Sequence, residues 1–213
     1  MMLNNITLKI QRQVQEKTRR VVLWTNGRRI DKNTQRTILC NMCLGGVISH
    51  DFGLRFNSPT VNLMIPAREF VSMLQDINQI DGKIEIKEDA GKPYPVGILN
   101  EKYVLHFIHF KTFQDAVDTW HRRSERMDKN KPYIILVETT SCSYDDLVKF
   151  DKLPYKHKIA LVHRQYPEIH CSVVIDGFDG MNLHGEILSY TGLLGKRMYD
   201  QVNWKEFLEL NTL

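Results

Sequence analysis

The sequence predicts an α/β fold, a mostly parallel sheet flanked by helices and preceded by an N-terminal basic helix. Three observations predict it. Apolar runs of strand length, such as Ile134–Val137 and Ile159–Val162, recur along the chain. The segments between strands are long enough for helices, and strands joined in that way pair in parallel with helices on both faces. The composition, 42% hydrophobic and 25% charged over 213 residues, is that of a globular chain that buries a core without disulfide or metal staples. Residues 1–30 are expected to form a basic helical arm and residues 31–213 a single α/β domain.

Each element follows in order. Ile6, Ile10 and Val14 recur every fourth residue among Lys9, Arg12, Gln13, Glu16 and Lys17, a helical stripe with a basic opposite face. It fits either a helix lying on an anionic membrane surface or a terminal helix that packs its stripe on the body and turns its charges to water. Asn26-Gly27 marks a turn. Thr37–Cys40 reads as the first strand, and Thr60–Ile65 as a short strand closed by Pro66. Phe70, Val71, Leu74 and Ile77 sit at helical spacing within Ala67–Ile80. Asp81-Gly82 turns the chain into strand Lys83–Lys87, Asp89–Pro95 is a loop, and Tyr103–Phe110 is a strand. Thr112–Met127 is the best-defined helix. Thr112 and Asp115 resemble a capping box, and Phe113, Ala116, Val117, Trp120 and Met127 share a face. Strands at Tyr133–Val137, Lys158–Val162 and Ser172–Ile175 and helices at Tyr144–Phe150 and Trp204–Leu210 complete the pattern.

Charge is distributed unevenly. Residues 1–36 carry nine basic side chains against Glu16 and Asp31, whereas the remainder has a net charge of −3. A positive arm on a slightly acidic body points to an anionic partner such as phospholipid or a phosphorylated substrate. Nucleic acid is set aside, because no recognition motif accompanies the charge and the aromatics do not interleave with the basic run. No apolar run approaches the ~20 residues that span a bilayer, and the first fifteen residues lack the apolar core of a secretory signal. The chain is expected in the cytoplasm, at most peripheral at the inner face of the membrane, with its four cysteines reduced.

Ligands of parallel sheets bind beyond the carboxyl ends of strands, which directs attention to the residues after Cys40, Ile65, Phe110, Val137 and Val162. Cys40 and Cys43 have C-x-x-C spacing, the pattern of a thiol redox pair or half a zinc site, but no second pair of ligands follows. Both are expected reduced and free of metal. Alternatively, Cys43 stands before Gly45-Gly46 at a strand-to-helix turn whose N–H groups can hold an oxyanion, which makes it a candidate nucleophile. His106 or His109 would be its base. Three apart on one strand, they point to opposite faces, so at most one serves. Arg122 and Arg126 share a helix face with Arg123 between them, a spacing for phosphate or pyrophosphate or simply a solvated basic flank. The sequence leaves the cofactor unknown.

Several stretches together resemble a known family: Ile38–Gly46 (ILCNMCLGG), Ser58-Pro59-Thr60-Val61-Asn62-Leu63, Tyr94-Pro95-Val96-Gly97, Val104–Phe110, the Trp120…Arg122-Arg123…Arg126 series and Phe150–Ile159. The family is bacterial, is usually labelled exopolysaccharide biosynthesis protein and occurs in capsule gene clusters. Some members carry an acetyltransferase label. Its first block has the general form Ser-Asn-Asn-Cys-Trp-Gly-Gly. Asn41, Cys43, Gly45 and Gly46 match it, while Cys40, Met42 and Leu44 replace Ser, Asn and Trp. The resemblance implies an α/β enzyme of surface-polysaccharide assembly that transfers a group to or from a nucleotide- or lipid-linked sugar. On the strand-end placement, Cys43 or the polar pocket around Asn41 would act at the reacting centre, with His106 or His109 as base. Ser58 and Asn62 would bind sugar hydroxyls, and Trp120, Arg122, Arg123 and Arg126 would complete the substrate site, the arginines holding phosphate. Cys43, His109, Ser58, Asn62 and Arg122 would then line one concave pocket. The other readings are a non-catalytic accessory protein docking on a membrane-bound glycosyltransferase, and a thiol redox protein.

Overall fold

Two sheets organise the chain in the computed structural model, which describes residues 2–27, 30–31, 35–87, 91–180, 186–192 and 194–209. Arg28, Arg29, Lys32, Asp89, Ala90, Leu210 and the side chain of Ile6 lie outside the described residues. The elements are α1 (Met2–Gly27), β1 (Ile38–Cys40), α2 (Leu44–Asp51), α3 (Ala67–Gln75), β2 (Ile84–Lys87), β3 (Val96–Leu99), β4 (Tyr103–His106), α4 (Phe113–Ser124), β5 (Tyr133–Val137), α5 (Tyr144–Asp151), β6 (His157–Val162), β7 (Ser172–Val174) and α6 (Trp204–Glu209).

The main sheet has the order β1-β5-β6-β7, every neighbouring pair parallel, with Cys40 opposite Ile135 and Leu136 opposite Ala160. β5 is apolar throughout because both of its faces are covered. Ile134 and Leu136 enter a core with Leu39, Val162, Trp120 and Phe150, whereas Ile135 and Val137 enter a second core with Ile38, Cys40, Ile48 and Trp204. Helices α3, α4 and α5 therefore lie on one face, and α2 and α6 on the other. The α/β class with a mostly parallel sheet is what the sequence predicts.

Residues 84–106 depart from the parallel pattern. β2, β3 and β4 form an antiparallel meander, including the unforeseen strand β3. Asn100 and Glu101 both adopt positive φ (52° and 58°), the backbone of a tight hairpin turn that needs no helix-length connection. Residues 60–65 are not a strand. Asn62 takes φ 66°, and only Met64 pairs, in an isolated bridge with His106. β4 stops at His106, because Phe107 and Phe110 close a turn, so His109 stands on a turn instead of in a strand. α4 begins as expected, with the Thr112 Oγ1 accepting the Asp115 N–H at 3.2 Å.

The N-terminal helix is seated with inverted polarity. Ile10 and Val14 are 57% and 43% exposed, so the arrangement in which the stripe packs on the body does not occur. Gln15 and Arg19 face inward instead. Gln15 Nε2 donates to the Gly192 carbonyl at 2.7 Å, and Arg19 forms ion pairs with Asp51 and Asp200 while Tyr199 donates to Asp51. Burial pulls the Arg19 guanidinium down, but the hydrogen bond to Asp200 and the fields of Tyr199 and Asp51 outweigh it and leave it above its ordinary value. Gly195, at φ 67°, passes so close to the helix that a Cβ there would lie 2.5 Å from the Gln15 carbonyl oxygen. No described helix is long and apolar enough to cross a membrane.

Candidate functional site

β1 ends where Asn41 extends its ladder with a side chain. Asn41 Nδ2 donates to the Val137 carbonyl at 3.0 Å and Oδ1 accepts the Val137 N–H at 2.8 Å. This clamp turns the chain, and Cys43 becomes the N-cap residue of α2. Gly45 lets the helix start against the strand, since a Cβ there would meet the Cys40 Cβ at 2.8 Å; one at Gly46 would approach Asn62 Oδ1 at 3.2 Å. Cys40 is buried at 1% exposure in the core behind the turn, while Cys43 points elsewhere.

Cys43 Sγ lies 3.2 Å from His109 Nε2 and 3.8 Å from the Leu63 carbonyl oxygen. Of the two candidate bases, His109 is thus the one in reach. Burial pushes the Cys43 thiol up to about 11, so its resting partner is a neutral thiol, not a thiolate ion-paired with imidazolium. A proton leaves Cys43 only as its sulfur attacks, with His109 placed to take it. Alkylation of Cys43 by iodoacetamide, followed by peptide mass spectrometry, is expected to be slow at neutral pH. It should rise about tenfold per pH unit toward pH 11, in proportion to the thiolate fraction; a rate already maximal at pH 7 would contradict the protonated resting state.

His106 faces a cavity of about 230 Å³ lined by Asn41, Met42, Met64, Lys92, Tyr94 and Thr139 among others, at the carboxyl ends of β1 and β5. Cys43, His109, Ser58, Asn62 and Arg122 are not among the residues that line this cavity. Ser58 is 1% exposed and exchanges a hydrogen bond with Thr60 at 3.0 Å. Trp120, also 1% exposed, donates its indole N–H to the Ile80 carbonyl at 2.7 Å. Asn41 is 2% exposed, its amide held by Val137. Ser58 and Trp120 are framework, too enclosed to meet a substrate, whereas Asn41 borders the cavity while its amide holds the turn.

Arginines brace the segment that carries Asn62. Arg123 Nη1 donates to the Val61 carbonyl at 2.8 Å, and Arg126 Nη2 to the Phe56 carbonyl at 3.1 Å. Arg122 is exposed and reaches Thr119 at 3.2 Å. Burial lowers Arg123, and Arg122 and Arg126 push the same way; burial, Arg55 and Arg122 lower Arg126 against Glu125. Among the described residues none of the four forms an ion pair. Four guanidiniums with Glu125 as a neighbouring carboxylate leave a net positive field suited to an anion. Arg55 had no signal in sequence, because only the fold brings it to α4.

Glu138 and His163 are a second constellation absent from the sequence-based candidates. Glu138, 5% exposed, accepts the Tyr166 hydroxyl at 2.6 Å, His163 Nδ1 at 2.7 Å and the His163 backbone N–H at 3.0 Å. The carboxylate favours the ring proton on Nδ1, and among the described residues Nε2 has no hydrogen-bond partner. Both residues directly follow strands, at Val137 and Val162, so the strand-end rule was the available signal.

A family described as a domain of unknown function, DUF1919, matches residues 13–209. An uncharacterized protein of Haemophilus influenzae is 32% identical over 196 residues, covering 92% of this chain and 94% of that protein. The match takes in the inward face of α1, the Cys43 turn, the arginine-bearing helix and both sheets, and on it the chain belongs to the DUF1919 family.

Proposed function

We propose that this protein is a transferase of bacterial exopolysaccharide or capsule assembly, acting on a nucleotide- or lipid-linked sugar in the cytoplasm, at or beside the inner face of the membrane. The observation that carries the reading is the contact of 3.2 Å between Cys43 Sγ and His109 Nε2 at the amino end of α2. In the acyl-transfer form, His109 takes the thiol proton as sulfur bonds to the donor carbonyl. The N–H groups of the first turn of α2 other than that of Gly45, which is turned to the Cys40 sulfur, meet the developing oxyanion. The donor's leaving group departs with the proton from His109, and a sugar hydroxyl then displaces the thiol. The arginines around residues 55–62 support a phosphate-bearing substrate.

Intact-protein mass spectrometry after incubation with an acyl donor tests the first half. A mass increase located on Cys43, absent in Cys43→Ala and slowed at least a hundredfold in His109→Ala, is expected. Labelling that survives Cys43→Ala would remove the nucleophile. Titration with uridine diphosphate tests the substrate class. Binding should raise the unfolding temperature, and Arg55→Ala or Arg122→Ala should each weaken affinity by tenfold or more, the loss of a charge-assisted hydrogen bond. The accessory reading is favoured by a different observation, the exposed apolar face of α1.

A further inference from the structure

We propose that the outer face of α1 docks on an anionic phospholipid surface. The inference is independent of any chemistry at Cys43 and rests on how the helix is seated. An amphipathic surface helix ordinarily buries its apolar stripe and shows its charges to water. Here Gln15 and Arg19 are buried against Gly192, Asp51 and Asp200, which fixes the opposite face of the helix outward. Ile10, Val14, Val21 and Trp24 are exposed at 57%, 43%, 62% and 58%, and they are four of the seven large apolar side chains exposed among the described residues. Their spacings of four, seven and three place them along one face of the helix.

Exposed Lys9, Lys17 and Arg20 accompany the stripe, and Arg12 is held by Glu16 at 3.2 Å. Apolar side chains with basic neighbours match the boundary between acyl chains and anionic headgroups, where a tryptophan also settles. Lys17 decides between lipid and a second copy of the chain. It falls within the stripe, between Val14 and Val21, so a symmetric helix pair would press two ammonium groups together. On a bilayer its stem lies along the apolar surface while its charge reaches the phosphates.

Co-sedimentation of the full chain with phosphatidylglycerol–phosphatidylcholine vesicles, against phosphatidylcholine alone, tests the proposal. Binding should require the anionic lipid and weaken sharply with salt, and Trp24 emission should shift to the blue, Trp120 and Trp204 being already buried. Lys9→Ala/Lys17→Ala/Arg20→Ala should lower partitioning on the order of a hundredfold, about fivefold per charge. Val14→Asp/Val21→Asp should abolish it. Both variants alter exposed side chains, so their thermal unfolding should match the parent. No binding by the intact chain, or equal binding by the variants, would overturn the proposal. So would a solution dimer that dissociates in Val14→Asp/Val21→Asp, which would show that a second copy covers the stripe.

Discussion

Replacing Arg19 by leucine should destabilise the protein by about 3–5 kcal/mol, the cost of leaving a buried carboxylate without its partner. The side chain is 4% exposed and serves Asp51 and Asp200 together, so its loss leaves Asp51, itself 6% exposed, with Tyr199 and the exposed His50 ring at 3.5 Å. For a chain of this length that corresponds to a fall in unfolding temperature of roughly 10 °C or more. Urea unfolding checks it, with Gln15→Ala as a comparison expected to cost only about 1 kcal/mol for one hydrogen bond. If Arg19→Leu cost no more than Gln15→Ala, the ion cluster would not be what holds the helix.

Stability should also fall steeply in alkali. Burial raises Cys40, Cys142 and Cys171 to about 12 and Cys43 to about 11, against an ordinary value of 9.0. A thiol with a raised value keeps its proton in the folded state after the unfolded chain has lost it. The stability it confers is therefore complete below pH 9 and drains away as pH rises toward 11 or 12. Each thiol contributes up to about 1.4 kcal/mol per pH unit, and the three partly exposed ones contribute less because solvent screens them. The sum is several kcal/mol between pH 8 and 10.5, measurable as a shift in urea midpoint. In Cys40→Ala the slope with pH should be shallower, whatever that substitution does to stability at pH 7. A curve that stays flat to pH 10.5 would mean that the thiols ionise freely in the fold.

What was legible in the sequence had a local cause. The unbroken apolar run of β5 and the Thr112–Asp115 cap define their elements within a few residues. Cys43 and His109 were legible as chemistry, one before paired glycines and the other near a strand end. Which histidine would serve depended on where β4 stops, and that is set by the turn at Phe107–Phe110. The seating of α1 was hidden because its decisive partners, Asp51 and Asp200, are 32 and 181 residues away from Arg19. Trp120 misled for the opposite reason: an aromatic beside arginines looks like a binding residue, although its place on the apolar face with Phe113 and Ala116 already pointed to the core, where its 1% exposure and bond to Ile80 put it.

The separation of 181 residues between Arg19 and Asp200 also sets an order of events during synthesis. At bacterial and eukaryotic elongation rates of about 5–20 residues per second, Asp200 is made roughly 10–35 s after Arg19. Throughout that interval the nascent helix carries an arginine that lacks one of its two carboxylates, and the residues around Gly192 and Gly195 that cradle it do not yet exist. The helix leaves the ribosome long before Asp200 and is consequently among the last elements to be locked in place. During that delay its apolar stripe is open to chaperones or to a nearby bilayer before the body of the protein has closed behind it.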